Sequence, residues 1–374
     1  MKKPSLKWLL PLMLLPVLLT GCSVLQKEYV SVKPHKTTQI QLPDAVEVTS
    51  EKELKDAILQ VVRAGAEEAV IRTKDYGGDP QKDLPLLIRN VMRQEPIGVY
   101  AVDYMDYNCT RIVNYYEIDL TTRFKHTSAE ISAVKLLEDN EAVEQQIEQT
   151  LRSFGTRLTY QISPYRDAQI PQLVEKFCNT APDMFVEVPK VTVNVYPDSG
   201  ATRIVEVIFD YRHTLQELKQ IRQEIAESID SAAEYIRYQN SESGKLTLLY
   251  SYLLKRFDYT AGQTDTPVYS ALCQGIADPR GLSQAWQLIC KEAQMDCVTV
   301  EGLLDGEPYY WNILSVDGAY RHLDLYRSIT EENLQLSTDW AMSRYVWDKE
   351  LYPACTAVQQ EITVAEEPAE EETT

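Results

Sequence analysis

From Ser50 onward, apolar residues recur at helical spacing. Leu54, Ala57, Ile58, Val61 and Val62 share one face, and Ser50 with Glu53 predicts a capping box at the helix start. The short apolar run Ala69-Val70-Ile71 predicts a strand. A second helix is expected from about Leu84 to Met92, followed by Val99 to Tyr104 and Thr110 to Asp119 as paired strands. Asn140 to Leu151 reads as a helix that is polar on most faces. The pattern then recurs: Ile170, Leu173, Val174 and Phe177 mark a helix, and Val191 to Tyr196 and Thr202 to Tyr211 a hairpin joined through Pro197-Asp198-Ser199-Gly200. Thr214 and Glu217 form another capping box, opening a long helix with Leu215, Leu218, Ile221, Ile225, Ile229 and Ile236 inward. Thr110-Arg111-Ile112-Val113 is repeated as Thr202-Arg203-Ile204-Val205, at an offset of 92. One such pair arises by chance about once in a chain this long, but the matching order of helix, hairpin and helix around it predicts a duplicated α/β unit.

The two ends break this pattern. Lys2, Lys3 and Lys7 precede the apolar run Trp8 to Leu19, which is interrupted by Pro11 and Pro16. The run is too short to cross a bilayer as a helix, which takes about 20 residues, so it reads as an export signal. It ends in Leu19-Thr20-Gly21-Cys22, which resembles the lipobox of bacterial lipoproteins. That resemblance implies cleavage before Cys22, with residues 1–21 as signal peptide and lipid on the Cys22 sulfur. The chain would then be held at the extracytoplasmic face of the cell membrane. An ordinary cleaved signal or a short uncleaved anchor is the alternative. The mostly polar stretch 22–43 reads as a flexible tether. Residues 356–374, with six Glu between Glu361 and Thr374, read as a disordered acidic tail.

Length and composition narrow the rest. The chain has 374 residues, 44% hydrophobic and 25% charged, which fits two or three globular domains and excludes a collagen-like or multi-spanning protein. The formal charge is −19, and removing the three leader lysines makes it −22. Without a basic stripe, such a surface repels phosphate backbones, so nucleic acid is excluded as a partner. There are four His and seven Cys. No CxxC spacing or His pattern has metal-ligand form, so neither a metal nor a cofactor is expected. The six Cys beyond Cys22 permit disulfides, with pairing undetermined.

From about Ser241 to Cys355, about a third of the chain, the sequence resembles a transglutaminase-like domain of the papain-type thiol group. The resemblance is carried by an amphipathic helix Lys245 to Arg256 ending in Phe257-Asp258-Tyr259, then Tyr269, Ala271-Leu272, Gly275, Gly281, Ala285-Trp286 and Leu288-Ile289. It continues through Val300-Glu301-Gly302, Trp311-Asn312, Asp317-Gly318, His322-Leu323-Asp324, Tyr345-Val346-Trp347-Asp348 and Tyr352-Pro353. The implied fold class is α+β. A transglutaminase-like domain at 241–355 would follow one or two smaller α/β units, at 44–130 and 131–240.

In that family a Cys opens the helix, a His lies two residues before the Trp, and an Asp follows on the next strand. The helix N-terminus lowers the thiol pKa, the imidazole takes its proton and the carboxylate orients the ring. Here the resemblance puts Pro279, Tyr309 and Asp324 at those positions. Proline has no nucleophilic atom, and a tyrosine with a pKa near about 10 is a poor base at neutral pH. Asp278-Pro279 is still a good helix opening, with Asp as N-cap and Pro at N1. Asp324 reads more readily as an acceptor for neighbouring donors than as a functional carboxylate.

A displaced nucleophile, Cys273 or Ser283 with His322 and Asp324, is the alternative acyl-transfer or peptidase arrangement. A helical Ser commonly bonds back to the backbone and a free Cys commonly packs as a small core residue. The aromatic residues Tyr309, Tyr310, Trp311 and Tyr320 would surround the altered cleft. Such a cleft suits a peptide, glycan or surface protein. Trp311 reads as core, and Tyr309 and Tyr310 are open to either role.

Overall fold

The structure is a computed structural model and describes residues 45–356. The expected signal peptide, Cys22, the tether and the acidic tail beyond 356 lie outside the described residues. Among the described residues no helix is long and apolar enough to cross a membrane.

The fold is α+β. The first unit runs β1 (Val46–Val48), α1 (Glu51–Ala64), β2 (Glu68–Lys74), α2 (Pro80–Arg93), α3 (Pro96–Ala101), β3 (Val102–Ile112) and β4 (Tyr115–Phe124). A short helix α4 (Ser128–Ser132), whose Ile131 packs into the core of the first unit, leads into the second. The second runs through β5 (Lys135–Leu137), α5 (Asn140–Arg152), β6 (Arg157–Ile162), α6 (Ile170–Thr180), β7 (Lys190–Tyr196) and β8 (Arg203–Asp210) to the long helix α7 (Leu215–Tyr235). The two sheets have one topology, β1-β2-β4-β3 and β5-β6-β8-β7. In each, the first two strands are parallel across a helix and the last two form an antiparallel hairpin.

Register reveals how the units correspond. Val46 pairs with Ile71 and Lys135 with Tyr160, an offset of 89 in both strands. The repeated tetrapeptide, at 92, is out of this register. Thr110 to Ile112 close β3, whereas Arg203 to Val205 open β8, the counterpart of β4. Sequence identity and structural equivalence therefore come apart at the segment that suggested the repeat.

Local chemistry explains most boundaries. Ser50 accepts from the Glu53 amide, but the Glu53 carboxylate turns back to the amide and hydroxyl of Thr49, one residue earlier than a capping box requires. Thr214 and Glu217 do form the full reciprocal box, as do Thr127 and Glu130. Leu215, expected inward, is the first residue of α7 and is exposed.

The expected strand Val99 to Tyr104 is half helix. Pro96 at N1 starts α3, which buries Ile97, Tyr100 and Ala101. Gly98 lies so close to the Val91 carbonyl that a Cβ there would approach within 2.0 Å. The following strand extends past Thr110 to Ile112, and the chain turns at Val113, whose φ of 47° is unusual for a β-branched residue.

The C-terminal domain contains α8 (Glu242–Arg256), the short parallel pair β9 (Thr260–Ala261) and β10 (Ile276–Ala277), and α9 (Pro267–Tyr269), which runs into a wide turn Ser270–Gln274. Then come α10 (Pro279–Glu292), β11 (Cys297–Leu304), β12 (Glu307–Val316), β13 (Ala319–Leu323), α11 (Leu325–Thr330), β14 (Leu336–Ser337), a 3-10 turn Asp339–Ala341 and β15 (Tyr345–Val346). The sheet is antiparallel, ordered β14-β13-β12-β11-β15. Its two faces carry different cores. One packs on α10, around Trp286, Ile289, Leu314 and Leu323. The other holds Val300, Trp311, Ile313, Met342 and Cys355. The buried face of α7, including Leu218, Ile221, Ile225 and Ile229, packs into the α10 core. The boundary expected at 240 therefore divides a shared core.

Candidate active site

Helix α10 begins as its sequence dictates. Asp278 caps it by accepting from the Gly281 amide at 2.8 Å, and Pro279 occupies the first turn, where a missing N–H leaves no bond unmade. Burial raises the Asp278 carboxyl above the usual range, against the pull of the amides it accepts from. Gly281 lets this turn lie against α9, since a Cβ would come within 2.5 Å of the Pro267 carbonyl. Because that obstacle is backbone, Gly281→Ala is expected to destabilise the protein by about 1–3 kcal/mol, measured by urea unfolding.

The helix tip does not open onto a free cleft. Asn179, near the end of α6 in the second unit, accepts from Arg280 Nη2 at 2.5 Å and from Gln284 Nε2 at 3.3 Å. The Arg280 guanidinium also lies 5.9 Å from the centre of the Tyr310 ring. Asn179 had no local sequence signal, because its role depends on contact across more than a hundred residues.

Strand alternation separates the expected aromatic cluster. Tyr310 and Asn312 face α10; Asn312 Nδ2 donates to the Ser283 carbonyl at 2.9 Å. Tyr309 and Trp311 point to the opposite face. There Tyr309 Oη donates to the Asp324 carboxylate at 3.1 and 3.2 Å, and Tyr345 Oη donates at 2.6 Å. Asp324 also caps α11, accepting from the Arg327 amide at 2.9 Å. It therefore acts as an acceptor hub, and burial raises its pKa despite these donors. Burial and the adjacent carboxylate push Tyr309 well above its usual range, which removes it further from a base role. Tyr345 is pushed up to about 12 for the same reasons. A polar cavity of about 130 Å³ adjoins Asp324, Arg327, Glu331 and Tyr345.

Trp311 is fully buried, while Tyr320 lies on the same face and donates to Asp296 at 2.5 Å. The four aromatic residues thus do not line one groove. Larger cavities, about 470 and 460 Å³, lie along α7, the first beside Arg237 and Lys245 and the second beside Arg152 and Arg222.

The residues considered as a displaced triad are engaged elsewhere. Ser283 Oγ donates to the Pro279 carbonyl at 2.7 Å, the helical back-bond expected of it. Cys273 Sγ lies 3.3 Å from Ser228 Oγ and 3.7 Å from the Glu224 carbonyl, against α7. Burial raises its thiol pKa, which opposes thiolate formation. Neither reaches His322, whose two ring nitrogens are occupied by Trp311 and Asp339 at 3.0 and 2.8 Å.

His322, Asp339 and Cys355 place three potential metal-ligating atoms within 4.8 Å of one another. The imidazole tautomer argues against a metal site. Trp311 Nε1–H can only donate, so His322 Nδ1 accepts and the ring proton sits on Nε2, directed at Asp339. A metal-bound histidine ordinarily donates from its second nitrogen, and here that nitrogen is an acceptor. The cluster instead fastens the segment that follows β15 to the 3-10 turn. The Cys355 amide donates to Asp339 Oδ1 at 3.2 Å, and the Asp339 amide donates to the Cys355 carbonyl at 2.9 Å.

No protein-family model and no curated protein matches the chain. Similar solved structures include one described as a TGase, with 13% identity and a TM-score of 0.24, over 59% of this chain and 64% of that one. Another is a putative protease from Parabacteroides distasonis, with 10% identity and a TM-score of 0.22, over 68% of this chain and 39% of that one. The chain spans less than two thirds of the length of either.

Proposed function

We propose that this chain is a lipid-anchored, extracytoplasmic protein whose C-terminal domain, built on a transglutaminase-like plan, performs no acyl transfer. It serves as a binding or structural module for a peptide, a glycan or another protein at the cell surface. One observation carries the reading: Pro279 occupies the tip of α10, where the resemblance expects a thiol, and Asn179 of the second unit is bonded to that same turn. Tyr309 supports it further, since its hydroxyl donates to Asp324 where the resemblance expects an imidazole. Lipid on Cys22 is the expected attachment.

Two measurements test the proposal. A thiol- or hydroxyl-directed amide probe is expected to label no single residue of the folded chain in a His322-dependent way. Stoichiometric labelling of Cys273 or Ser283 that is abolished by His322→Ala would establish an enzyme instead. Radiolabelled fatty acid is expected to enter the chain and to be lost in Cys22→Ala; incorporation that persists in that variant would remove the anchor from the reading.

A further inference from the structure

Two cysteines outside the altered site face each other across the return from α10 into β11. On α10, Ser283, Gln287 and Cys290 follow at spacings of four and three and form one stripe. On β11, Cys297 and Thr299 alternate onto the face that meets this helix. Contacts along the stripe set the register: Thr299 Oγ1 donates to the Ser283 carbonyl at 3.1 Å, and the Thr299 amide to Gln287 Oε1 at 3.3 Å. Moving one turn along the helix reaches Cys290, and moving two residues back along the strand reaches Cys297. The intervening turn is tight. The Met295 amide donates to the Cys290 carbonyl at 2.8 Å, and Gln294 takes a left-handed conformation with φ 56°. Cys290 is fully buried, and Cys297 packs against the same core. The neighbouring thiol and, above all, burial raise Cys297 well above the usual thiol range.

We propose that Cys290 and Cys297 are a disulfide site that staples the end of α10 to the start of β11. The oxidant is a disulfide-bearing exchange partner, either glutathione disulfide or a protein of the thiol–disulfide exchange class. The thiolate of one cysteine attacks the partner disulfide, forming a mixed disulfide and releasing one partner thiol. The second cysteine then attacks its neighbour's sulfur and releases the other partner thiol. Two S–H bonds are lost, one S–S bond is gained, and the partner is reduced to two thiols. Because Cys290 is fully buried and the Cys297 thiol resists ionisation, exchange proceeds when the turn opens or while the chain is folding.

The test uses the full chain, reduced and then brought to equilibrium with reduced and oxidised glutathione before alkylation and peptide mapping. The expected product links Cys290 to Cys297, with Cys109, Cys178, Cys273 and Cys355 alkylated. The thermal midpoint should rise by a few degrees on oxidation, and Cys297→Ser should abolish that rise. Recovery of Cys290 and Cys297 as alkylated thiols, or of glutathione retained on either, would overturn the proposal. The mapping is made on the unaltered chain, so it remains decisive if a variant fails to fold. It also depends only on the local geometry; a purified chain that links in glutathione but is reduced in the cell would count against export and leave the disulfide site standing.

Discussion

Trp311→Ala is expected to destabilise the C-terminal domain by about 3–5 kcal/mol, read as a lower urea midpoint with an unchanged slope. Trp311 is fully buried on the sheet face away from α10. Its ring meets Tyr345 at a centroid distance of 5.1 Å and Trp347 at 5.8 Å, both edge-on, so truncation opens a cavity between these two rings. It also covers Gly302, where a Cβ would come within 2.7 Å of the indole. Trp311→Phe separates the two contributions. It keeps most of the ring contact but leaves His322 Nδ1 without its donor, which should cost about 1–3 kcal/mol. If Trp311→Ala left stability unchanged while weakening ligand capture, Trp311 would be a binding platform and the core assignment would be wrong.

The longer helices were legible where periodic apolar residues met a local start signal. Leu54, Ile58, Val61 and Val62 are all buried, and α10 opens at the Asp278-Pro279 pair that its sequence marked. The sequence misled where one local signal admitted two structures. Val99 to Ala101 is apolar and reads as strand, but Pro96 and the close approach at Gly98 make it helix. The repeat was real in topology, yet its clearest sequence mark was a coincidence, because the two copies fall on non-equivalent strands, one closing β3 and the other opening β8.

At the candidate site, Pro279 and Tyr309 could be read directly as the residues standing where the resemblance expects a thiol and an imidazole. What could not be read was which sheet face each aromatic occupies, since that follows from pairing register. Nor could Asn179 or the Asp339–Cys355 clasp be found, because both depend on contacts between segments with no shared local pattern.

Stability is expected to fall as pH drops below about 6.5, and His322 is the group responsible. Burial depresses its pKa in the folded chain, with Lys349 adding to that shift and the Asp339 carboxylate opposing it. An unfolded His322 takes up a proton near its ordinary pKa, whereas the folded one stays neutral until lower pH. The unfolded state therefore binds more protons in that window, and stability decreases as acid is added. The contribution is full above about 6.5 and is lost as pH falls towards and through the lower folded value. Geometry explains why protonation is resisted: a proton on Nδ1 would face the Trp311 Nε1–H, setting two donors against each other inside the core. His322→Gln, which cannot titrate, should flatten this part of the stability–pH curve while lowering stability at pH 8. Asp278 and Asp324, whose raised pKa values act with the opposite sign, are present in both proteins and cancel in the comparison. His322→Ala removes both partners' contacts at once and should cost about 2–5 kcal/mol at pH 8. Urea unfolding of wild type and both variants at pH 8, 7, 6 and 5 is the measurement. Parallel curves for wild type and His322→Gln would show that His322 does not titrate on unfolding, and the assignment of its tautomer would fall with that result.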